Sequence, residues 1–125
     1  KEHVYKIEST IETIDLKDKK NLIARQLSHG EKQWLEIGML LIQETELLLI
    51  DEPVAGMTEN ETKNTSNLLK KISRERTIIV VEHDMNFIES LNVEVVVLHE
   101  GSVLTRGTMD KIKNNKQVID VYLGR

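Results

Sequence analysis

Two short apolar runs, "LLLID" at 47–51 and "TIIVVEH" at 77–83, do most to constrain the fold of this chain. Neither alternates with polar residues, so neither offers a face to water. Such runs suit strands covered on both sides, as in parallel sheets. Between them, Pro53 and Gly56 break the chain, and 58–73 carries Leu68, Leu69 and Ile72 at helical spacing. A strand, a helix and a second strand in succession predict a parallel pair with a right-handed crossover. A short helix at 85–90 then leads to a third apolar run, "VEVVVLH" (93–99). Glu100-Gly101 reads as a hairpin turn into "SVLTRG" (102–107), and 108–123 as two small helices. The fold class is therefore α/β.

Upstream, Val4, Ile7, Ile11 and Ile14 recur at gaps of three and four, which predicts one helix face over 1–15. The stretch 16–26 is charged and irregular, with room for one short helix. The segment 28–43 predicts a strong helix with Leu35, Met39 and Ile42 on one face. The aromatic content is only 3%, so a core must rest on Ile, Leu and Val.

The net charge is −4 with both signs mixed along the chain, which argues against nucleic acid as the main partner. "KDKK" at 17–20 reads as a solvated face. There is no cysteine, which excludes disulfides and thiolate metal sites. No apolar run approaches the roughly 18 residues of a membrane span, and the expectation is of no signal peptide.

In open α/β sheets, ligands bind at the carboxyl ends of the strands. The first run ends in Asp51-Glu52 and the second in Glu82-His83. If the two strands lie side by side and parallel, carboxylates and an imidazole share one rim. An Asp there can hold a hard cation through oxygen or water. A neighbouring Glu can polarise a water as general base. A His can stabilise charge developing on a phosphoryl oxygen. Such parts suit metal-assisted phosphoryl transfer; the plainer alternative is that they only solvate a sheet edge.

"LSHGEKQWLEIGMLL" (27–41) poses a similar choice. Ser28 followed by Glu31 is a capping box, which explains both residues. Gly30 is less easily explained, because glycine in a first helical turn costs about 0.5–1 kcal/mol against Ala. It would let a ligand approach the backbone, and helix N-termini bind phosphate through free N–H groups. Cap and phosphate site are compatible. The same spacing recurs at Thr58 and Glu61, where no further chemistry accompanies it and a cap suffices.

In this order, the pieces resemble the C-terminal half of an ABC-type ATPase, over essentially the whole chain. Leu27-Ser28-His29-Gly30-Glu31 is similar to the LSGGQ signature, and 47–51 with Glu52 and Pro53 to the Walker B strand and its glutamate. Val54, Ala55, Gly56, Met57 and Thr58 sit where the D-loop belongs, and His83 sits at the switch histidine. The resemblance implies a partial P-loop NTPase (RecA-like) core over 44–125 and the end of an α-helical subdomain with the signature over 1–43. It implies that Ser28, His29, Gly30 and Glu31 meet ATP held by a second ATPase subunit, that Asp51 helps hold Mg²⁺ through water, that Glu52 is the general base and that His83 contacts the γ-phosphate. It also implies peripheral attachment to membrane permeases on the cytoplasmic side. His29 departs from the usual glycine, Glu31 from Gln and Thr58 from Asp, which puts cross-subunit coupling through Thr58 in doubt. "DEPVAGMT", "VVEHDM", "VLHEGSVL" and "VIDVYLGR" resemble the ATPases of urea importers, within the group that includes branched-chain amino acid importers. Rival readings are a non-transport ABC-type ATPase and an interaction domain that kept the fold; intact Glu52 and His83 speak against the latter.

No GxxxxGKS/T occurs in the sequence. That loop cradles ATP phosphates with backbone amides and a lysine. The expectation is a fragment of a longer protein whose phosphate-loop strand, between 77–83 and 93–99 in the family's sheet, is missing. Those two strands should then pair directly or recruit another copy. This 125-residue chain by itself should bind ATP only weakly and hydrolyse none. Titration calorimetry checks this, and micromolar ATP binding by the isolated chain would refute it.

Overall fold

The structure, a computed structural model, describes residues 1–123. Gly124 and Arg125, which end the "VIDVYLGR" stretch, lie outside the described residues. The chain divides into two compact units, Lys1–Glu82 and the remainder from His83.

The first unit runs α1 (Glu2–Thr13), α2 (His29–Ile42), β1 (Leu47–Asp51), α3 (Glu59–Ile72) and β2 (Thr77–Val81). Two single 3-10 turns, Lys17–Lys19 and Ala24–Gln26, replace the one short helix expected over 16–26. That stretch has no apolar stripe to hold a longer helix against a core.

β1 and β2 pair in parallel, from Leu47 opposite Thr77 to Asp51 opposite Val81. The helix between them is α3. Its Leu68, Leu69 and Ile72 are buried as expected, with Thr65 and Ser66 beside them. Glu59 and Glu61 occupy its first turn and Lys70 and Lys71 its last, each complementing the helix dipole. Arg76 donates to Thr45 O at 2.6 Å and to Leu41 O at 3.3 Å. It thereby satisfies a carbonyl in the last turn of α2 and fixes that helix to the entrance of the strand pair.

Three expectations fail here. β1 is not covered on both faces: Leu48 is 1% exposed, but Leu49 is 67% exposed and Leu47 is also open. An all-apolar strand can be covered on both sides, but coverage depends on which layers the chain supplies. Nor is the Leu35, Met39, Ile42 face of α2 the inner one. Met39 is 61% exposed, and the buried positions are Gly30, Trp34, Ile37 and Gly38. Apolar residues surround α2 on nearly every side, so periodicity does not select the face. Gly38 does, by close approach: a Cβ there would stand 2.7 Å from Ile14 Cδ1 of the segment ending α1. In α1 the expected stripe is real only at its end, where Ile14 is buried; Val4 and Ile7 are exposed.

The second unit holds α4 (Met85–Leu91), β3 (Val95–His99), β4 (Ser102–Gly107), α5 (Met109–Lys113), α6 (Lys116–Val118) and a π-helical turn, Ile119–Leu123. β3 and β4 are antiparallel, with an irregularity between Val97 and Leu98. Glu100 and Gly101 both take positive φ, +48° and +77°, as the expected tight hairpin requires. Val97, Met109, Ile112 and Val118 form its core, with Met85, Ile88, Val95 and Leu104 packed around them. The direct pairing expected between 77–83 and 93–99 is not made. Among the described residues β2 pairs with β1 alone and β3 with β4 alone.

Ile14, 2% exposed, is the side chain against which α2 closes. Ile14→Ala should destabilise the fold by about 2–4 kcal/mol, read as a lower urea midpoint at unchanged slope.

Candidate phosphate-facing site

The start of α2 is set by a reciprocal cap. Ser28, in extended conformation, accepts from the Glu31 N–H at 3.2 Å, and the Ser28 N–H donates to Glu31 Oε2 at 2.9 Å. Lys19 forms an ion pair with Glu31, so part of the "KDKK" run is tied to the cap rather than only solvated. The Lys19 ammonium, and next the Ser28 N–H, hold the Glu31 carboxyl below its usual range.

α3 begins with the same device. Thr58 Oγ1 accepts from the Glu61 N–H at 3.3 Å, and the Thr58 N–H donates to Glu61 Oε2 at 3.0 Å. Glu61 does more than cap its own helix. Its other oxygen, Oε1, accepts the Ser28 hydroxyl at 2.9 Å. A Cβ on Gly30 would lie 2.7 Å from Glu61 Cδ. The close approach that Gly30 permits is thus made by the chain's own carboxylate. The Thr58 N–H, followed by the Ser28 and Thr58 hydroxyls, holds the Glu61 carboxyl below its usual range.

A second tie joins the same two segments. His29 Nε2 lies 2.8 Å from Ala55 O. A carbonyl only accepts, so Nε2 carries the hydrogen. Gly56 and its positive φ lie beside that ring. The Thr65 hydroxyl donates to Glu61 O at 2.8 Å, one turn back in α3, with Met57 Sδ 3.2 Å away. Thr65 Oγ1 also takes the buried Trp34 Nε1–H at 2.8 Å, which anchors α2 to α3.

At the carboxyl end of β1, the Glu52 N–H donates to Val81 O at 2.8 Å and so extends the parallel ladder by one rung. Glu52 itself takes φ +46°, a left-handed conformation that costs a non-glycine residue about 1–3 kcal/mol. Held on the ladder by its N–H, it turns the chain into buried Pro53. Glu82, just beyond β2, accepts the Val54 N–H at 3.2 Å and braces the same loop. Asp51 ends β1 opposite Val81, with Glu52 following. His83 is the first residue of the second unit. Among the described residues no group of three or more His, Asp or Glu side chains could hold a metal ion by itself.

Glu61 is the functional candidate that sequence reasoning missed. Its spacing from Thr58 announced a cap, and nothing local announces a contact with Ser28, far away in the chain.

A sequence profile described as "ABC transporter" matches residues 1–55. The high-affinity branched-chain amino acid transport ATP-binding protein LivG of Escherichia coli is 34% identical over 116 residues, 91% of this chain and 46% of that protein. BraF of Pseudomonas aeruginosa, described in the same words, matches with the same identity and coverage. The crystal structure of an ATP-binding cassette of an ABC transporter, in its ADP conformation, superposes with a TM-score of 0.89 at 22% identity. That match covers 100% of this chain and 51% of the other. The fold is that of ABC-type ATP-binding cassettes. The chain spans about half the length of these relatives.

Both carboxyls of the shared cap have folded-state pKa values below their ordinary ones, so the stability they confer is present above the usual glutamate range. It is lost as pH falls below about 4.5 toward the lowered folded values. Urea unfolding between pH 7 and 3 should show this acid loss, and Glu61→Gln with Glu31→Gln should flatten it.

Proposed function

We propose that this chain belongs to the ATP-hydrolysing subunit of an ABC-type importer. Residues 1–43 are the end of the helical subdomain and 44–125 belong to the ATPase core. The observation that carries the reading is the pairing of two features in one unit: a helix N-terminus capped by Ser28 with glycine two residues on, and a parallel strand whose carboxyl end delivers Asp51 and Glu52. The first suits a phosphate; the second suits cation binding and water activation.

In this reading Ser28, His29, Gly30 and Glu31 face an ATP held by a second ATPase subunit. Glu52 takes the proton of the attacking water. His83 contacts the γ-phosphate. Ala55, Gly56, Met57 and Thr58 form the loop that follows. Asp51 fits Mg²⁺, which keeps several waters and needs few protein ligands. When bound, Mg²⁺ neutralises charge on the phosphates.

The subunit works from the cytoplasmic side against membrane permeases. Among the described residues no helix is long and apolar enough to cross a membrane. The named relatives point to branched-chain amino acids as cargo; the wording of "DEPVAGMT" and "VVEHDM" points to urea. None of the proposed site residues meets the cargo, so the permeases decide.

Glu52→Gln in the intact ATPase should lower kcat by about 100-fold or more while nucleotide still binds, because only the proton acceptor is lost. Normal turnover would overturn the assignment. Uptake of labelled leucine against labelled urea in a deletion strain separates the two cargoes.

A further inference from the structure

The Ser28 hydroxyl has one proton to give, and in this structure Glu61 Oε1 takes it at 2.9 Å. Gly30, which the reading above also turns toward that nucleotide, lies against the same carboxylate. Glu61 therefore sits where the phosphate oxygen would have to sit. Its Cδ and Oε1 fill the space that the absent Gly30 side chain leaves, at 2.7 Å from where a Cβ would be. We propose that Glu61 is an internal stand-in for phosphate, a latch that occupies Ser28 and Gly30 until nucleotide held by a second subunit displaces it. The proposal rests on the reading of Ser28 given above and adds the regulation of that site.

Three features support competition over simple bracing. A hydroxyl cannot donate to two acceptors at once, so Ser28 must leave Glu61 to meet a phosphate. Two anions cannot share the seat without strong repulsion, so the carboxylate must also swing aside. The swing is local, because Glu61 Oε2 is held separately by the Thr58 N–H and hydroxyl, each at 3.0 Å. The same carboxylate thereby links the occupancy of Ser28 to Thr58, the residue that stands where an Asp is usual in the loop after β1. Signal passes within one subunit, from the start of α2 to the start of α3, with the His29–Ala55 contact as a second tie between the segments.

The test is steady-state ATP hydrolysis by the intact ATPase assembled with its partners. Glu61→Gln keeps an acceptor for Thr58 and removes the charge. It should lower KM for ATP about fivefold, the scale of a partly exposed charge removed from a two-state equilibrium. A purely structural role for Glu61 would instead make Glu61→Gln raise KM, because the cap of α3 is weakened. In a Ser28→Ala background, Glu61→Gln should lose most of its effect, as coupled residues do in a double-mutant cycle. An unchanged or raised KM for Glu61→Gln, or an effect that persists without Ser28, overturns the latch. Wild-type turnover by Ser28→Ala overturns the reading of the site itself, and that result is distinct from failure of the latch alone.

Discussion

Every α-helix begins with backbone N–H groups that the helix cannot satisfy, and in this chain two such beginnings converge on one carboxylate. Glu61 closes the cap of α3 through Thr58 and reaches the N-terminus of α2 through Ser28, with its carboxyl against Gly30. The loop that follows β1 is trapped between these two helix starts. The Trp34–Thr65 and His29–Ala55 bonds complete the same seam. Elsewhere in the first unit, α2 closes on Ile14 at Gly38, and Arg76 ties the last turn of α2 to the entrance of the strand pair.

The catalytic candidates are placed by a different device. A parallel ladder fixes where β1 ends, and the Glu52 N–H adds one more rung to it. The left-handed φ of Glu52 then redirects the chain within a single residue. Strain of this kind persists only where neighbours over-determine it; the ladder bond on one side and buried Pro53 on the other supply that determination. Glu82 braces Val54 from the end of β2, so both strand ends contribute to one loop.

Much of this was legible from local pattern. The helix starts at Ser28 and Thr58 follow from the spacing of a hydroxyl and a glutamate, and both boxes are formed. The strands at 47–51 and near 77–81, the crossover helix and the Glu100-Gly101 hairpin follow from apolar runs and turn chemistry. Where pattern went wrong, it lacked information of the right kind. α2 is apolar nearly all round, so its 3.6-residue period cannot say that Trp34 and Ile37 go inward while Met39 stays out. "LLLID" has no polar face, so it cannot say that only Leu48 and Ile50 are covered.

The sequence by itself determined which segments become helix or strand and which side chains stand at their ends, because those choices are settled by near neighbours: periodicity, caps and chain breakers. Only the tertiary structure decided which face of α2 closes on Ile14, the register in which β1 and β2 pair, and that Glu61 answers Ser28. Those outcomes join residues far apart in the chain. They depend on close approach at Gly30 and Gly38 and on the geometry of a carboxylate with two oxygens, neither of which leaves a trace in local spacing.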